Sequence, residues 1–148
     1  MFKNILVPVD GSELSTAAAT RACSFAKEAG ARLTFYYAKP TYFPTAMAGE
    51  ALFDDAMAYD AFRAAMDKQA EAILSQAKQG AAAAGVAAAT LSSECASPHA
   101  GIIAAAASLA CDLIFMASHG RRGASALLLG SETQKVLTHC KIPVLVYR

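Results

Sequence analysis

The sequence contains no tryptophan and no excess of charge of either sign, because 13 lysines and arginines balance 12 aspartates and glutamates. Proteins that bind nucleic acid or a membrane surface through general electrostatics need a basic face, so this balance argues against both partners. Apolar residues make up 55% of the chain, yet no run approaches the ~20 residues of a membrane-spanning helix. The composition predicts one globular domain, residues 1–148.

Cysteine is also scarce, and its positions are far apart: Cys23, Cys95, Cys111 and Cys140. The sequence has no CxxC pair and no histidine at zinc-finger spacing, so we predict reduced thiols and no metal site. The first residues lead directly into a strand-like segment, and no signal peptide is expected. Together these features predict a cytoplasmic protein.

Two common phosphate-binding motifs are missing. The sequence has no GxxxxGK[ST], and the first predicted strand is followed by Asp10-Gly11-Ser12 rather than by GxGxxG. These absences argue against a P-loop hydrolase and against a nicotinamide-dependent dehydrogenase.

Short apolar segments alternate with helical patterns along the chain in the order β-α-β-α-β-α-β-α-β. The predicted strands are 3–9, 32–38, 86–94, 112–117 and 143–147, and the predicted helices are 13–29, 56–84, 98–110 and 131–140. This alternation predicts an α/β fold with a parallel sheet covered by helices on both faces. Segment 41–55 is too long for a simple connection, which is typical of lids, partner-binding loops or mobile segments.

A glycine-rich stretch, residues 116–133, follows the fourth predicted strand and leads into the last helix. Glycine lets a backbone approach a phosphate, and N–H groups at a helix N-terminus point towards it. Ser131 and Gln134 have the spacing of a capping box at this helix start. Asp10-Gly11-Ser12 follows the first strand, so both features are expected at the carboxyl edge of the sheet, where such folds bind ligands.

Within this stretch, Ala117-x-x-Gly120 is followed after nine residues by Gly130-Ser131. Segments 3–12, 111–120 and 142–146 add KNILVPVDGS, CDLIFMASHG and IPVLV. With these motifs, in this order, the whole chain resembles the nucleotide-binding branch of the universal stress protein family.

The resemblance implies an open five-stranded parallel sheet of the adenine-nucleotide α-hydrolase-like type, with strand order 3-2-1-4-5. It also implies a homodimer and bound ATP or a related adenine nucleotide. Any Mg²⁺ would bridge the phosphates with few protein ligands. The implied contacts to adenine and ribose are Pro8, Val9, Asp10, Ala38 and Val144. Those along the ribose and phosphate path are Met116, Ala117, His119, Gly120 and Gly123. Those that hold phosphates through N–H and hydroxyl groups are Gly130, Ser131 and Thr133.

Two residues depart from a simple phosphate site. Ala117 stands where the family motif has its first glycine, and its extra methyl group is expected to weaken binding without abolishing it. Glu132 lies between the phosphate-binding residues, and its charge would oppose a triphosphate unless it points to solvent. Arg121 and Arg122 are interpreted either as solvated loop charges or as phosphate contacts, and His119 either as a phosphate contact or as a general base.

The predicted function is that of an ATP-binding universal stress protein with a regulatory role. No residue set combines a nucleophile, a base and metal ligands, so catalysis is expected to be absent or limited to weak ATP hydrolysis. Two alternatives stay open: a slow ATP-hydrolysing enzyme, and an interaction module in which Asp10 is a turn residue and Ser131 only a helix cap. The short apolar strand Val144-Leu145-Val146 is the predicted homodimer contact.

Overall fold

The computed structural model of the protein describes residues 1–43, 54–121 and 129–148. The described residues form five strands and four helices in the predicted order. The strands are β1 (Asn4–Pro8), β2 (Arg32–Pro40), β3 (Ala88–Cys95), β4 (Leu113–Ala117) and β5 (Val144–Tyr147). The helices are α1 (Glu13–Ala29), α2 (Asp54–Ala83), α3 (Pro98–Ser108) and α4 (Ser131–His139).

The five strands form one sheet in the order β3-β2-β1-β4-β5, and all four neighbouring pairs are parallel. The predicted fold class and strand order are therefore confirmed. The strand order reverses between β1 and β4, which pair directly through Leu6 and Ile114. Because parallel strands end at the same edge, the segments after β1 and β4 face each other across the crevice at this switch point.

Two clusters of buried apolar side chains, one on each face, stabilise the sheet. Ile5 and Val7 of β1 pack in a cluster with α1 and α2, while Leu6 packs on the opposite face among residues of α3 and α4. All three of these side chains are fully buried. A central strand covered on both faces reads as an unbroken apolar run, which is why the sequence indicated it clearly.

The predicted bounds of α1, 13–29, are confirmed, whereas the capping predicted for α4 is wrong. Ser12 caps α1 by accepting from the Ser15 N–H at 3.2 Å, and Gly30 ends the helix with a φ of 60°. At α4 the N-cap is Gly130, Ser131 is the first helical residue, and the predicted capping box does not form. The Gly130 N–H is tied to the Ser118 carbonyl at 2.7 Å, which keeps Gly130 extended and starts the helix at the next residue.

The predicted excursion 41–55 is described only in part. Residues 44–53 lie outside the described residues, and α2 begins at Asp54. Tyr42 packs against Tyr59 and Phe62 of α2, with ring centroids 5.8 and 5.3 Å apart. None of the described helices is long and apolar enough to cross a membrane.

Candidate functional site

The carboxylate of Asp10 joins the two segments that border the central crevice. Its Oδ1 accepts from the Ser12 N–H at 2.9 Å, within the turn that follows β1. Its Oδ2 accepts from the Arg121 N–H at 2.9 Å, in the segment that follows β4. Asp10 therefore fastens the glycine-rich segment to the end of the first strand.

The contact between Asp10 and the Arg121 N–H requires glycine at position 120, because the Asp10 carboxylate leaves no space there for a side chain. A Cβ atom at Gly120 would collide with Asp10 Oδ2. In the part of the chain that the structure describes, the glycines with positive φ are Gly11, Gly30 and Gly85, and Gly120 is not one of them. The glycine is thus explained by the close approach of the Asp10 carboxylate and not by a left-handed backbone.

The N-terminus of α4 opens at the same edge of the sheet. The Gly130 backbone is held against the chain before it, since a Cβ atom there would lie 3.1 Å from His119 Cα and 3.2 Å from the Ser118 oxygen. No described side chain caps this helix. The first N–H groups of a helix have no partner within it and carry a partial positive charge, so this terminus suits an anion.

Thr133 lies one turn into α4 and fastens this helix to the sheet. Its side chain is buried, and its hydroxyl donates to the Ala117 carbonyl at 3.1 Å. The neighbouring Ser118 N–H donates to the Tyr147 carbonyl at 2.7 Å, which links the end of β4 to the end of β5. The helix terminus is therefore built on rigid contacts, with exposed Ser131 at its opening.

Ala117 replaces glycine without backbone strain. It is the last residue of β4 and is buried. Among the described residues, the non-glycine position with a positive φ is Ala110, so Ala117 keeps a conformation that any residue adopts. The methyl group at this position is compatible with the local fold.

The Glu132 side chain contacts α3. Its Oε2 accepts from the His99 backbone N–H at 2.8 Å and lies 2.9 Å from His99 Nδ1. Its Oε1 accepts from Lys135 Nζ at 2.9 Å. Burial raises the pKa of this carboxyl, but hydrogen bonds from Lys135 and His99 outweigh burial and leave it below its ordinary value.

The position of Glu132 bears on the expectation that its charge opposes a triphosphate unless it points to solvent. Its charge is instead balanced by Lys135 and by the N-terminus of α3. His99 is half-buried and serves as a polar link between α3 and α4. Nothing in the local sequence around either residue indicates this pairing.

Of the other predicted site residues, some lie at the carboxyl edge of the sheet and others do not. Val9 extends the end of β1 through its N–H, which donates to the Tyr36 carbonyl at 2.9 Å, and Ala38 lies near the end of β2. Val144, in contrast, is the first residue of β5 and pairs with Ile114, so it lies about 10 Å from the carboxyl edge. Gly123 and Arg122 lie outside the described residues.

The remaining predicted site residues lie at the ends of β1 and β4 and in the segment after β4. Pro8 ends β1 beside Tyr36, and Met116 is buried on the face of the sheet covered by α3 and α4. His119 is half-buried, and its Nδ1 lies 3.2 Å from the Ser118 hydroxyl. The structure therefore brings most predicted contacts to one edge, around Asp10, Gly120 and the start of α4.

Two residues near this edge had no signal in the sequence. Tyr37 of β2 is buried close to Asp10 and Arg121: burial raises the pKa of its hydroxyl, the Arg121 charge lowers it and the Asp10 charge raises it. Gln69 of α2 contacts the Arg121 guanidinium. All four cysteines are free thiols, and the described ranges hold no group of three His, Cys, Asp or Glu side chains suited to a metal ion.

Over its whole length the chain is similar to proteins of one known family. Residues 1–148 match the family model described as the universal stress protein family. Universal stress protein YxiE of Bacillus subtilis (strain 168) is 31% identical over 149 residues, and the alignment covers 100% of each chain. The solved structure of hypothetical protein MJ0577 has a TM-score of 0.81 at 23% identity, covering 99% of this chain and 95% of that one. A universal stress protein in complex with cAMP has a TM-score of 0.72 at 25% identity, covering 99% and 97%.

Proposed function

The chain belongs to the universal stress protein family, and from this premise we propose that it binds an adenine nucleotide, ATP in particular, in the crevice between β1 and β4. The bound nucleotide would serve a regulatory role in a stress response. The similar universal stress protein in complex with cAMP supports the class of ligand. The choice of ATP rests on the sequence motif in which Ala117-x-x-Gly120 is followed after nine residues by Gly130-Ser131.

One juxtaposition carries the proposal: the Asp10 carboxylate and the uncapped N-terminus of α4 lie at the same edge of the sheet. Asp10 accepts two backbone hydrogen bonds, and a carboxylate has about four lone-pair sites, so it retains capacity for ribose hydroxyls. The first-turn N–H groups of α4 would receive phosphate oxygens. The residues present therefore fit a nucleotide with its sugar near β1 and its phosphates near α4.

The individual roles follow from this orientation. We assign Pro8, Val9 and Ala38 to the base, and Met116, Ala117, His119 and Gly120 to the path between ribose and phosphates. Ser131 would bind phosphate through its N–H group and its hydroxyl, and Gly130 would line the site, since its own N–H is already donated to the Ser118 carbonyl. Thr133 would contribute its N–H, since its hydroxyl proton is already donated to Ala117. Any Mg²⁺ would be held mainly by the phosphates.

The proposal is tested by the nucleotide content of the purified protein and by calorimetric titration with ATP. We expect adenine nucleotide in the supernatant of denatured protein, or micromolar ATP binding by the emptied protein. The double variant Gly130→Ala with Ser131→Ala should weaken binding at least about tenfold, because it crowds the His119 backbone and removes a donor.

The matched control is Thr138→Ala, which removes an exposed hydroxyl from the same helix, where it donates to the Gln134 carbonyl. This variant should bind ATP like the wild type. Wild-type protein that carries no nucleotide and gives no heat with ATP would refute nucleotide binding and favour the interaction-module alternative.

A regulatory role is favoured over catalysis by the state of the acidic groups at the site. Asp10 accepts two backbone N–H groups and would use its remaining capacity for ribose hydroxyls, and Glu132 accepts from His99 and Lys135. Neither is placed as a base for an attacking water. Incubation of the protein with ATP and Mg²⁺, followed by chromatography, separates this proposal from slow hydrolysis.

We further propose a cytoplasmic homodimer that pairs through β5. This strand lies at one edge of the sheet, and its four residues are only half-buried. An apolar edge strand offers unpaired backbone groups to a second copy. Val146→Lys should convert the dimer to a monomer in size-exclusion chromatography with light scattering, and an unchanged mass would contradict the interface.

A further inference from the structure

The Arg121 side chain crosses the crevice: it starts in the segment after β4 and ends over the turn after β1. Its backbone N–H is bonded to Asp10 after β1, although the residue follows β4. Its guanidinium lies over Gly11, where a Cβ atom would be only 2.8 Å from Nη2. Gly11 also has a φ of 78°, so both space and conformation require glycine beneath this side chain.

The partner that holds the guanidinium is neutral. With its amide oriented to satisfy both groups, the Gln69 side-chain oxygen accepts from both terminal nitrogens of Arg121, at 3.2 Å from Nη2. No carboxylate lies within ion-pair distance of Arg121 among the described residues. Gln69 thus orients the guanidinium without cancelling its charge.

Charge and access make this arrangement suitable for an anion. A guanidinium keeps its positive charge throughout the physiological pH range and forms paired hydrogen bonds with phosphate. Arg121 is exposed, so a ligand in the crevice can reach it. The contacts with Asp10 and Gly11 place its backbone and side chain beside the proposed ribose position.

We propose that Arg121 is a phosphate-binding residue of the nucleotide site and that Gln69 is its positioning residue. Arg121 would thereby make the affinity of the site depend on the phosphates of the nucleotide. This inference rests on the proposed function and extends it, because it assigns the cationic partner of the ligand. A glutamate at position 69 would hold the same geometry but neutralise the charge. The neutral amide is therefore what leaves Arg121 available to a phosphate.

The test compares adenosine, AMP, ADP, ATP and inorganic tripolyphosphate by calorimetry on the emptied full-length protein. Arg121→Gln and Gln69→Glu should each lower ATP affinity about three- to tenfold, since an exposed charge contact is partly screened by solvent. Both should leave adenosine binding unchanged, and the loss should grow with the number of phosphates. Tripolyphosphate binding should fall in both variants as well.

Gln79→Glu is the matched control. It makes the same chemical change on α2, about 15 Å along the helix from Gln69, where the side-chain amide donates to the Ser75 hydroxyl. This variant should bind ATP like the wild type. An equal loss in Gln79→Glu and Gln69→Glu would show a general effect of added negative charge and overturn the inference.

The outcomes separate the inference from the proposed function. Wild-type binding of ATP with no phosphate-dependent loss in Arg121→Gln refutes the role of Arg121 and leaves nucleotide binding intact. Higher ATP affinity in Gln69→Glu would show a purely structural contact, strengthened by an ion pair. Absence of all nucleotide binding refutes the proposed function, and tripolyphosphate binding that Arg121→Gln removes would still support an anion site at Arg121. Absence of both nucleotide and tripolyphosphate binding overturns both.

Discussion

Replacing Gly120 with alanine is expected to weaken adenine-nucleotide binding by about ten- to a hundredfold, the cost of losing charge-assisted hydrogen bonds at Asp10. The added methyl group would collide with Asp10 Oδ2. The carboxylate would have to leave the Ser12 and Arg121 N–H groups that hold it. Both the proposed ribose contact and the path of the glycine-rich segment would change together.

A double-mutant cycle that combines Gly120→Ala with Asp10→Ala identifies the cause of the lost nucleotide affinity. If the collision is responsible, Gly120→Ala should cost little further affinity once the carboxylate is absent, so the two effects should be strongly non-additive. Calorimetric titration of the four proteins with ATP gives the coupling directly. Additive losses would mean that the methyl group acts elsewhere, and wild-type affinity in Gly120→Ala would contradict the site geometry.

The second large effect concerns stability and compares two glycines that lie in helices. Gly101→Ala in α3 should destabilise the protein by about 1–3 kcal/mol through overpacking. Its Cβ atom would collide with the Tyr36 hydroxyl and lie 2.8 Å from Cys95 Sγ. Tyr36 is fully buried and bonded to Ser93 at 2.7 Å, so it has little freedom to move aside.

Gly80→Ala in α2 is the matched change with the opposite expected sign. Among the described residues, no heavy atom lies within 4 Å of a Cβ atom at Gly80 apart from its chain neighbours and the adjacent backbone of its own helix. Alanine is about 1 kcal/mol more favourable than glycine within a helix, so this variant should be stabilised. Urea unfolding of both variants beside the wild type measures the difference, and two changes of the same sign would refute the packing assigned to α3.

The Gly101 contact also shows how the fold supports the candidate site. Close packing of α3 on β2 and β3 fixes the helix whose second residue, His99, bonds to Glu132 of α4. The N-terminus of α4 is therefore held from two sides, by Thr133 on the sheet and by Glu132 on α3. A helix terminus held in this way can receive a phosphate without rearranging, which favours binding.

The order of the strands and helices could be predicted from the sequence because each signal is local. Buried parallel strands read as apolar runs, and Ser12 and Gly30 mark the ends of α1 by their own conformational preferences. The edge that carries the site followed from the same alternation, since parallel strands end together. The capping box failed because a long-range bond, from Gly130 to Ser118, decided where α4 begins.

The sequence alone was enough to predict the alternating α/β pattern, the glycine-rich segment after β4 and the edge of the sheet to which both candidate segments belong. Three contacts became visible only in the folded chain: Asp10 with Arg121, 111 positions away, Glu132 with His99, 33 positions away, and Gln69 with the Arg121 guanidinium. These contacts join residues that are far apart in the sequence. Conformational preferences and hydrophobic periodicity act over a few residues, whereas these contacts depend on the packing of helices onto a sheet, which brings distant side chains within hydrogen-bond distance.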